Sequence, residues 1–139
     1  MKLVFDTDVV VAAFRSPTGA SAELFRMARE REVEVAVTVA LVLEYEAVLK
    51  RPEHLLAAGA AIAQAELTVD TLVRVGLPVL VDYRWRPQTR DPADEMVLEA
   101  AINANADAIV TFNRRDFGDA PTRFGISCWL PAQALENLR

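Results

Sequence analysis

Residues 3 to 11 read LVFDTDVVV and set two carboxylates, Asp6 and Asp8, two positions apart between apolar runs. Ionised carboxylates beside a buried run are costly unless a cation, a set of hydrogen-bond donors or a reacting group meets them. Three chemistries would use such a pair: a divalent cation held for hydrolysis, a phosphate ester bound beside a nucleophile, and a carboxylate that itself takes up phosphate. Further acids stand far along the chain: Glu44 and Glu46 in VLEYEAVL, Asp91 and Asp94 in RDPADEM, and Asp116 in NRRDF. His54 is the one histidine and Cys128 the one cysteine, so no His/Cys set for zinc exists. An all-oxygen donor set suits Mg²⁺ or Mn²⁺, hard ions that keep waters and bind phosphates.

Short apolar runs alternate with helical patterns and position these residues. KLVF, VEVAVT, LPVLVD, DAIVTF and ISCWL read as strands, each apolar along its length, as expected of strands covered on both faces. VVVAAF, ASAELFRMARERE, VALVLEYEAVLKRP, an alanine-rich stretch over residues 55 to 75 with Gly59 as a break, DPADEMVLEAAINANA and PAQALENL read as helices. The alternation predicts one domain over residues 1–139: an α/β chain folded as a three-layer α/β/α sandwich, with a mainly parallel central sheet of about five strands. In open parallel sheets ligands gather at the carboxyl ends of the strands. Those ends are Asp6-Thr7-Asp8, Thr38 and Thr111-Phe112-Asn113.

Helical geometry, at roughly 100° per residue, places Asp94 over the apolar stripe of Val97, Leu98, Ala101 and Ile102, and turns Glu95 and Glu99 to solvent. Asp91 is placed to cap that helix, with Pro92 at its first position, and a reach from Asp94 back to the Asp91 amide is a second use for the inward carboxylate. On the helix after strand two, Glu44 and Glu46 flank the apolar stripe equally, and periodicity leaves both open. Asp82 reads as a turn former.

The net charge of −5 provides no general attraction to nucleic acid, although a bound cation would reverse the field locally. Arg15, Arg84, Arg86, Arg90, Arg114 and Arg115 are the candidate phosphate contacts, with Trp85 between two of them as a stacking surface. Cys128 reads as a small buried hydrophobe, which suits a reducing compartment. Asp6 and Asp8 interrupt the first apolar stretch before a signal-peptide core or membrane span is reached, so a cytoplasmic protein without a membrane partner is expected.

VFDTDVV matches D-x-D-x-T/V, the opening of phosphatases of the haloacid dehalogenase type, with Asp6 as nucleophile, Asp8 as acid and Thr38 at the phosphate. That chemistry also needs a lysine near the phosphate and an acidic pair after a later strand. Lys2 and Lys50 are the only lysines, and strand four ends in Thr-Phe-Asn.

A second resemblance runs nearly the whole length. VFDTDVVVAAFRSPTGAS resembles the D-T-N-V start of PIN domains, LVLEYEAVLKRP their E-x-x-x-V-L-x-R-P helix, and RDPADEMVLEAA their D-P-x-D-x-x-x-L-x-x-A helix. ADAIVTFNRRDF is similar to A-D-x-I-V-T-x-D/N-x-x-D-F, and FGISCWLPAQAL to the closing strand and proline-led helix. The order and spacing are specific even though each piece is weak alone. The resemblance is to members grouped as toxin components of toxin–antitoxin pairs. It implies a metal-dependent ribonuclease whose acids fall on Asp6, Glu44 and Asp94, with Asn113 at the fourth position and Asp116 three residues on. It further implies a cognate antitoxin, an RNA substrate and a homodimer, for which the alanine-rich stretch offers close helix packing. Thr7, Asp8, Asp91 and Thr111 would support the metal ligands. Asp8 stands where these proteins usually have asparagine, and Asn113 where some have aspartate. A PIN domain that binds without turnover is the third, non-enzymatic reading.

Overall fold

The computed structural model describes residues 1–82, 89 and 91–139. Five strands form one parallel sheet: β1 (Lys2–Phe5), β2 (Glu34–Val37), β3 (Leu77–Pro78), β4 (Ala108–Val110) and β5 (Ser127–Trp129), in the order β3-β2-β1-β4-β5. Leu3, Val4 and Phe5 of β1 are all buried, as are Ala108, Ile109 and Val110 of β4. Consecutive buried residues point to opposite faces, so both faces of the sheet are covered. The α/β expectation and the five strands hold.

Chain order fixes where a site can form. From β1 the chain builds outward through β2 and β3 on one side, then crosses back to lay β4 and β5 on the other. The strand order reverses between β1 and β4, and a crevice opens there at the carboxyl ends, the place where open α/β sheets bind ligands. Asp6 follows the last residue of β1, and Thr111 follows the last residue of β4.

Helices α1 (Thr7–Arg15) and α2 (Ala20–Arg29) link β1 to β2, and α3 (Val39–Leu49), α4 (Pro52–Ala58) and α5 (Ile62–Val75) link β2 to β3. The expected stripe on α3 is buried at Leu41, Tyr45, Val48 and Leu49, and Tyr45 donates its hydroxyl to the Phe5 carbonyl at the end of β1. Thr38 caps α3 by accepting from the Leu41 amide at 3.1 Å, which occupies the hydroxyl a phosphatase would have used. Gly59 ends α4 in the left-handed conformation at φ 63°, and α4 and α5 meet at 92°.

β3 is shorter than LPVLVD suggests because Pro78 has no amide proton for a ladder and sits on the sheet edge, where a proline is tolerated. Two short pieces were not foreseen: a 3₁₀ turn, Arg114–Phe117, and helix α7 (Ala120–Arg123). Helices α6 (Pro92–Ala104) and α8 (Pro131–Leu138) complete the fold. Among the described residues no single helix is long and apolar enough to cross a membrane.

Candidate active site at the carboxyl edge of the sheet

Asp6 enters the crevice with its geometry already fixed. Its amide donates to the Val110 carbonyl at 2.9 Å, which prolongs the β1–β4 ladder by one residue. Its Oδ1 accepts from the Thr7 amide at 2.7 Å at the start of α1, and its Oδ2 accepts from the Thr111 hydroxyl at 2.7 Å. Burial raises the Asp6 pKa above its ordinary value; these two hydrogen bonds oppose the rise, and the charges of Asp116 and Asp91 add to it. Cooperation across 105 residues thus holds one carboxylate in place.

Asp8, on the first turn of α1, reaches the same end of β4. Its Oδ2 accepts from the Phe112 amide at 3.1 Å and from Asn113 Nδ2 at 3.0 Å. Its Oδ1 is buried and has no hydrogen-bond partner. Burial, and then the neighbouring charge of Asp6, push the Asp8 pKa up to about 7. The Thr111 hydroxyl, while donating to Asp6, also accepts from the Asn113 amide at 3.0 Å, so one threonine organises both sides of the crevice. The Phe112 amide is a backbone donor and left no mark in the residue types.

Asp94 comes from α6, whose start is set by Asp91: the Asp91 carboxylate accepts from the Ala93 amide at 2.8 Å, and Pro92 stands at the first helical position. Asp94 is half-buried, and burial followed by the charges of Asp6, Asp91 and Asp116 pushes its pKa up to about 6. The inward placement agrees with the helical geometry. Its neighbours do not: Glu95 and Glu99, expected in solvent, are each 5% exposed. Glu95 accepts from the Thr89 amide and hydroxyl, a contact that folds the chain before α6 onto the helix. The single-stripe reading failed because α6 packs on β1, β2, β4, α3 and the 3₁₀ turn, so several of its sides are covered.

Asp116 lies in the 3₁₀ turn, exposed, and its charge is felt at both Asp6 and Asp94. Glu44 is half-buried on α3 and is not among the leading charges acting on Asp6 or Asp94. Glu46 is committed elsewhere, to Lys50 at 2.9 Å. Arg15, Arg114 and Arg115 are exposed, with Arg114 donating to Gln133 Oε1 at 3.3 Å. Arg84, Arg86 and Arg90, with Trp85, lie outside the described residues. The lysines are far from any phosphate role: Lys2 Nζ donates to the Ala104 carbonyl at the far end of α6, and Lys50 pairs with Glu46 and Glu66. Cys128 is half-buried, and burial pushes its thiol up to about 11, away from reactivity.

Among the described residues no three of Asp, Glu, His and Cys stand close enough together to hold a metal by themselves. The donors still fit a hard cation. Mg²⁺ is usually bound through one or two carboxylates, retained waters and substrate phosphates, without an all-protein cage. The unpartnered Asp8 Oδ1, beside an Asp6 carboxylate under like-charge pressure, is the kind of buried acceptor that a cation would relieve.

A family model described as a PIN domain matches residues 2–115, from the first strand of the sheet to the 3₁₀ turn that follows β4. No curated protein matches the chain. PIN domains are generally nucleases and generally use divalent metals, which is the chemistry an all-oxygen acidic crevice supports. Asp6, Glu44, Asp94 and Asn113 all fall inside the matched span, whereas Asp116, β5 and α8 lie beyond it. With the model covering most of its length and the sheet order placing acids at the switch between β1 and β4, this chain belongs to the PIN-domain family.

Proposed function

We propose that the protein is a divalent-metal-dependent endoribonuclease and the toxin of a toxin–antitoxin pair. The observation that carries this reading is Asp6, fixed at the end of β1 by the Thr111 hydroxyl at the end of β4. The charge of Asp6 is felt at Asp8 and at Asp94, and that of Asp116 at Asp6 and Asp94. Asp6, Asp94 and Glu44 would hold Mg²⁺ or Mn²⁺, aided by Asp116 or Asn113, and the ion would supply Lewis acidity toward a phosphodiester and lower the pKa of a water. Glu44 rests on the motif match alone.

The chain's own part is to hold those acids still. Thr111 fixes Asp6, and the Phe112 amide with the Asn113 carboxamide fixes Asp8. Exposed Arg15, Arg114 and Arg115 would engage flanking phosphates. In-line displacement by water would leave a 5′-phosphate and a 3′-hydroxyl. A cytoplasmic setting, a cognate antitoxin that covers the crevice and a homodimer belong to the same proposal.

Asp6→Asn preserves the acceptor for the Thr7 amide at the start of α1 and should keep the fold. It should abolish Mn²⁺-dependent cleavage of RNA, a loss of at least about a hundredfold. Cleavage at the parent rate would overturn the assignment. The same preparation separates the alternatives. Release of phosphate from a small phosphomonoester with intact RNA would select the dehalogenase-type phosphatase, and inactivity toward both would select a catalytically silent binding module. Comparing Glu44→Gln with Glu46→Gln tests the motif assignment on α3: only the former should lose activity.

A further inference from the structure

We propose that Tyr45 is a positioning residue of the acidic site: its hydroxyl ties α3 to the end of β1 and so sets where Glu44 stands relative to Asp6. The inference rests on the nuclease reading for the role of Glu44 and goes beyond it in naming what holds that side chain in place.

The two ends of the tie are sequence neighbours of the two acids. Glu44 precedes Tyr45 on α3, and Asp6 follows Phe5, the last residue of β1. The Tyr45 hydroxyl donates to the Phe5 carbonyl, and the tyrosine is fully buried. A buried tyrosine needs a partner for its hydroxyl, and here the partner is backbone at the strand end from which Asp6 departs. Continuing the β1–β2 register from Leu3 and Val35 sets Phe5 opposite Val37, the last residue of β2. Thr38 then turns the chain into α3, so strand pairing on this side of β1 runs out where the phenol takes over.

Among the described residues this is the one hydrogen bond between α3 and β1. Elsewhere α3 packs on α1, α4, α5 and α6, burying Leu41, Val48 and Leu49. Apolar burial is non-directional and tolerates sliding, whereas a hydrogen bond has a preferred distance and angle. The Thr38 cap fixes the start of the helix, and Tyr45 fixes it roughly 10 Å further along the axis. Two such points set the direction of α3 as well as its origin, and Glu44 stands just before the second. A metal or catalytic constellation needs its side chains held to about 0.5 Å, which directional contacts supply. Tyr45 also senses the site: burial, and then the charge of Asp6, raise its phenol above the ordinary value, so it keeps its proton and remains a donor. Glu46, on the other flank of Tyr45, is engaged by Lys50.

The test is metal affinity, read apart from cleavage. Mn²⁺ binding to the full-length protein would be measured by calorimetry, with the melting temperature in chelator as the measure of the fold. Tyr45→Phe keeps the ring and removes the tie. It should weaken Mn²⁺ binding by about tenfold and lower kcat for RNA by a similar factor, with KM little changed. Leu49→Val thins the same buried face of α3 without touching the hydroxyl. It should lower the melting temperature and leave Mn²⁺ affinity at the parent value. In a Glu44→Gln background Tyr45→Phe should cost no further affinity, because the carboxylate it positions is gone. Replacing Tyr45 by 3-fluorotyrosine retains ring and hydroxyl, so it serves even where Tyr45→Phe fails to fold, and its ¹⁹F resonance should move when Mg²⁺ is added. Parent-like Mn²⁺ affinity in Tyr45→Phe would overturn the inference and leave the nuclease reading intact. Equal losses in Leu49→Val, additive losses with Glu44→Gln or a ¹⁹F resonance indifferent to saturating Mg²⁺ would overturn it as well, and a parent that binds no Mn²⁺ would overturn both. If the unmodified protein binds Mn²⁺ but cleaves no RNA, and Tyr45→Phe still weakens the metal, the nuclease reading fails and the role of Tyr45 stands.

Discussion

Asp8 and Asn113 are 105 residues apart in sequence, yet the Asn113 carboxamide donates to Asp8 at 3.0 Å. The pair is a carboxylate and an amide matched across one hydrogen bond. Asn113→Asp alone should be harmful because it sets two carboxylates against each other, and Asp8→Asn alone removes the charge. Together they should recover most of the loss in Mn²⁺ affinity, by calorimetry, and in stability, with a coupling of roughly 0.5–3 kcal/mol. Additive losses would show that the two residues act separately. A pH effect follows from the same carboxylates. Asp8 at about 7 and Asp94 at about 6 both lie above the ordinary value of 3.8, so the metal-free folded state keeps protons that the unfolded chain releases. Stability of the metal-free protein should therefore be highest below about pH 4 as far as these two groups act, and fall as pH rises through 7. The melting temperature in chelator should drop between weakly acidic and weakly basic buffer, and Asp8→Asn should shrink the drop. Mn²⁺ should oppose it most at the higher pH, where protons no longer compete for the carboxylates. A melting temperature that climbs over that range would contradict the reading.

At the scale of elements, periodicity reported what each helix does to one neighbour and missed what several neighbours do to it. On α3 the stripe Leu41, Tyr45, Val48 and Leu49 was legible because one face dominates the packing. On α6 the inward Asp94 was legible, but buried Glu95 and Glu99 were not, since contacts on several sides erase the polar face that a helical wheel assumes. The Asp91 cap and Pro92 were readable as local chemistry. The hydrogen bonds that hold the site were not: Thr111 to Asp6 joins residues that only the β1–β4 pairing brings together. Gly76 gives an element-level test. It ends α5 where the chain turns into β3 alongside β2, and a Cβ there would lie 2.5 Å from the Leu72 carbonyl oxygen and 3.1 Å from a methyl of Val37. The nearest obstacle is backbone and cannot swing away, so Gly76→Ala should cost roughly 1–3 kcal/mol in denaturant unfolding. A midpoint equal to the parent's would mean that the α5–β3 junction is looser than drawn.

For the whole molecule, the topology was readable from strands that alternate with helices, but assembly was not, because it depends on which apolar residues the fold leaves uncovered. The alanine-rich stretch is the expected contact surface, and it exposes Leu67 on α5. The fold adds a strip that no helical pattern marked. Leu43 on α3 is 61% exposed and Leu80 after β3 is 81% exposed. With Val39, Val42 and Val73 they line an apolar groove of about 440 Å³ beside the β3 edge of the sheet. Exposed apolar residues gathered in one groove suit a surface for a partner, and a second copy of the chain is the partner the proposed homodimer would supply. The acid crevice lies between β1 and β4, on the other side of β2, so such a dimer would leave it open to RNA. In sedimentation velocity the parent should run as a dimer. Leu43→Glu should raise the dimer dissociation constant by more than about tenfold, because a desolvated charge replaces a central apolar contact. Leu67→Glu separates the two surfaces: a dimer that survives Leu43→Glu but not Leu67→Glu would place the contact on the alanine-rich helix, and a parent that sediments as a monomer at high concentration would remove the homodimer from the proposal.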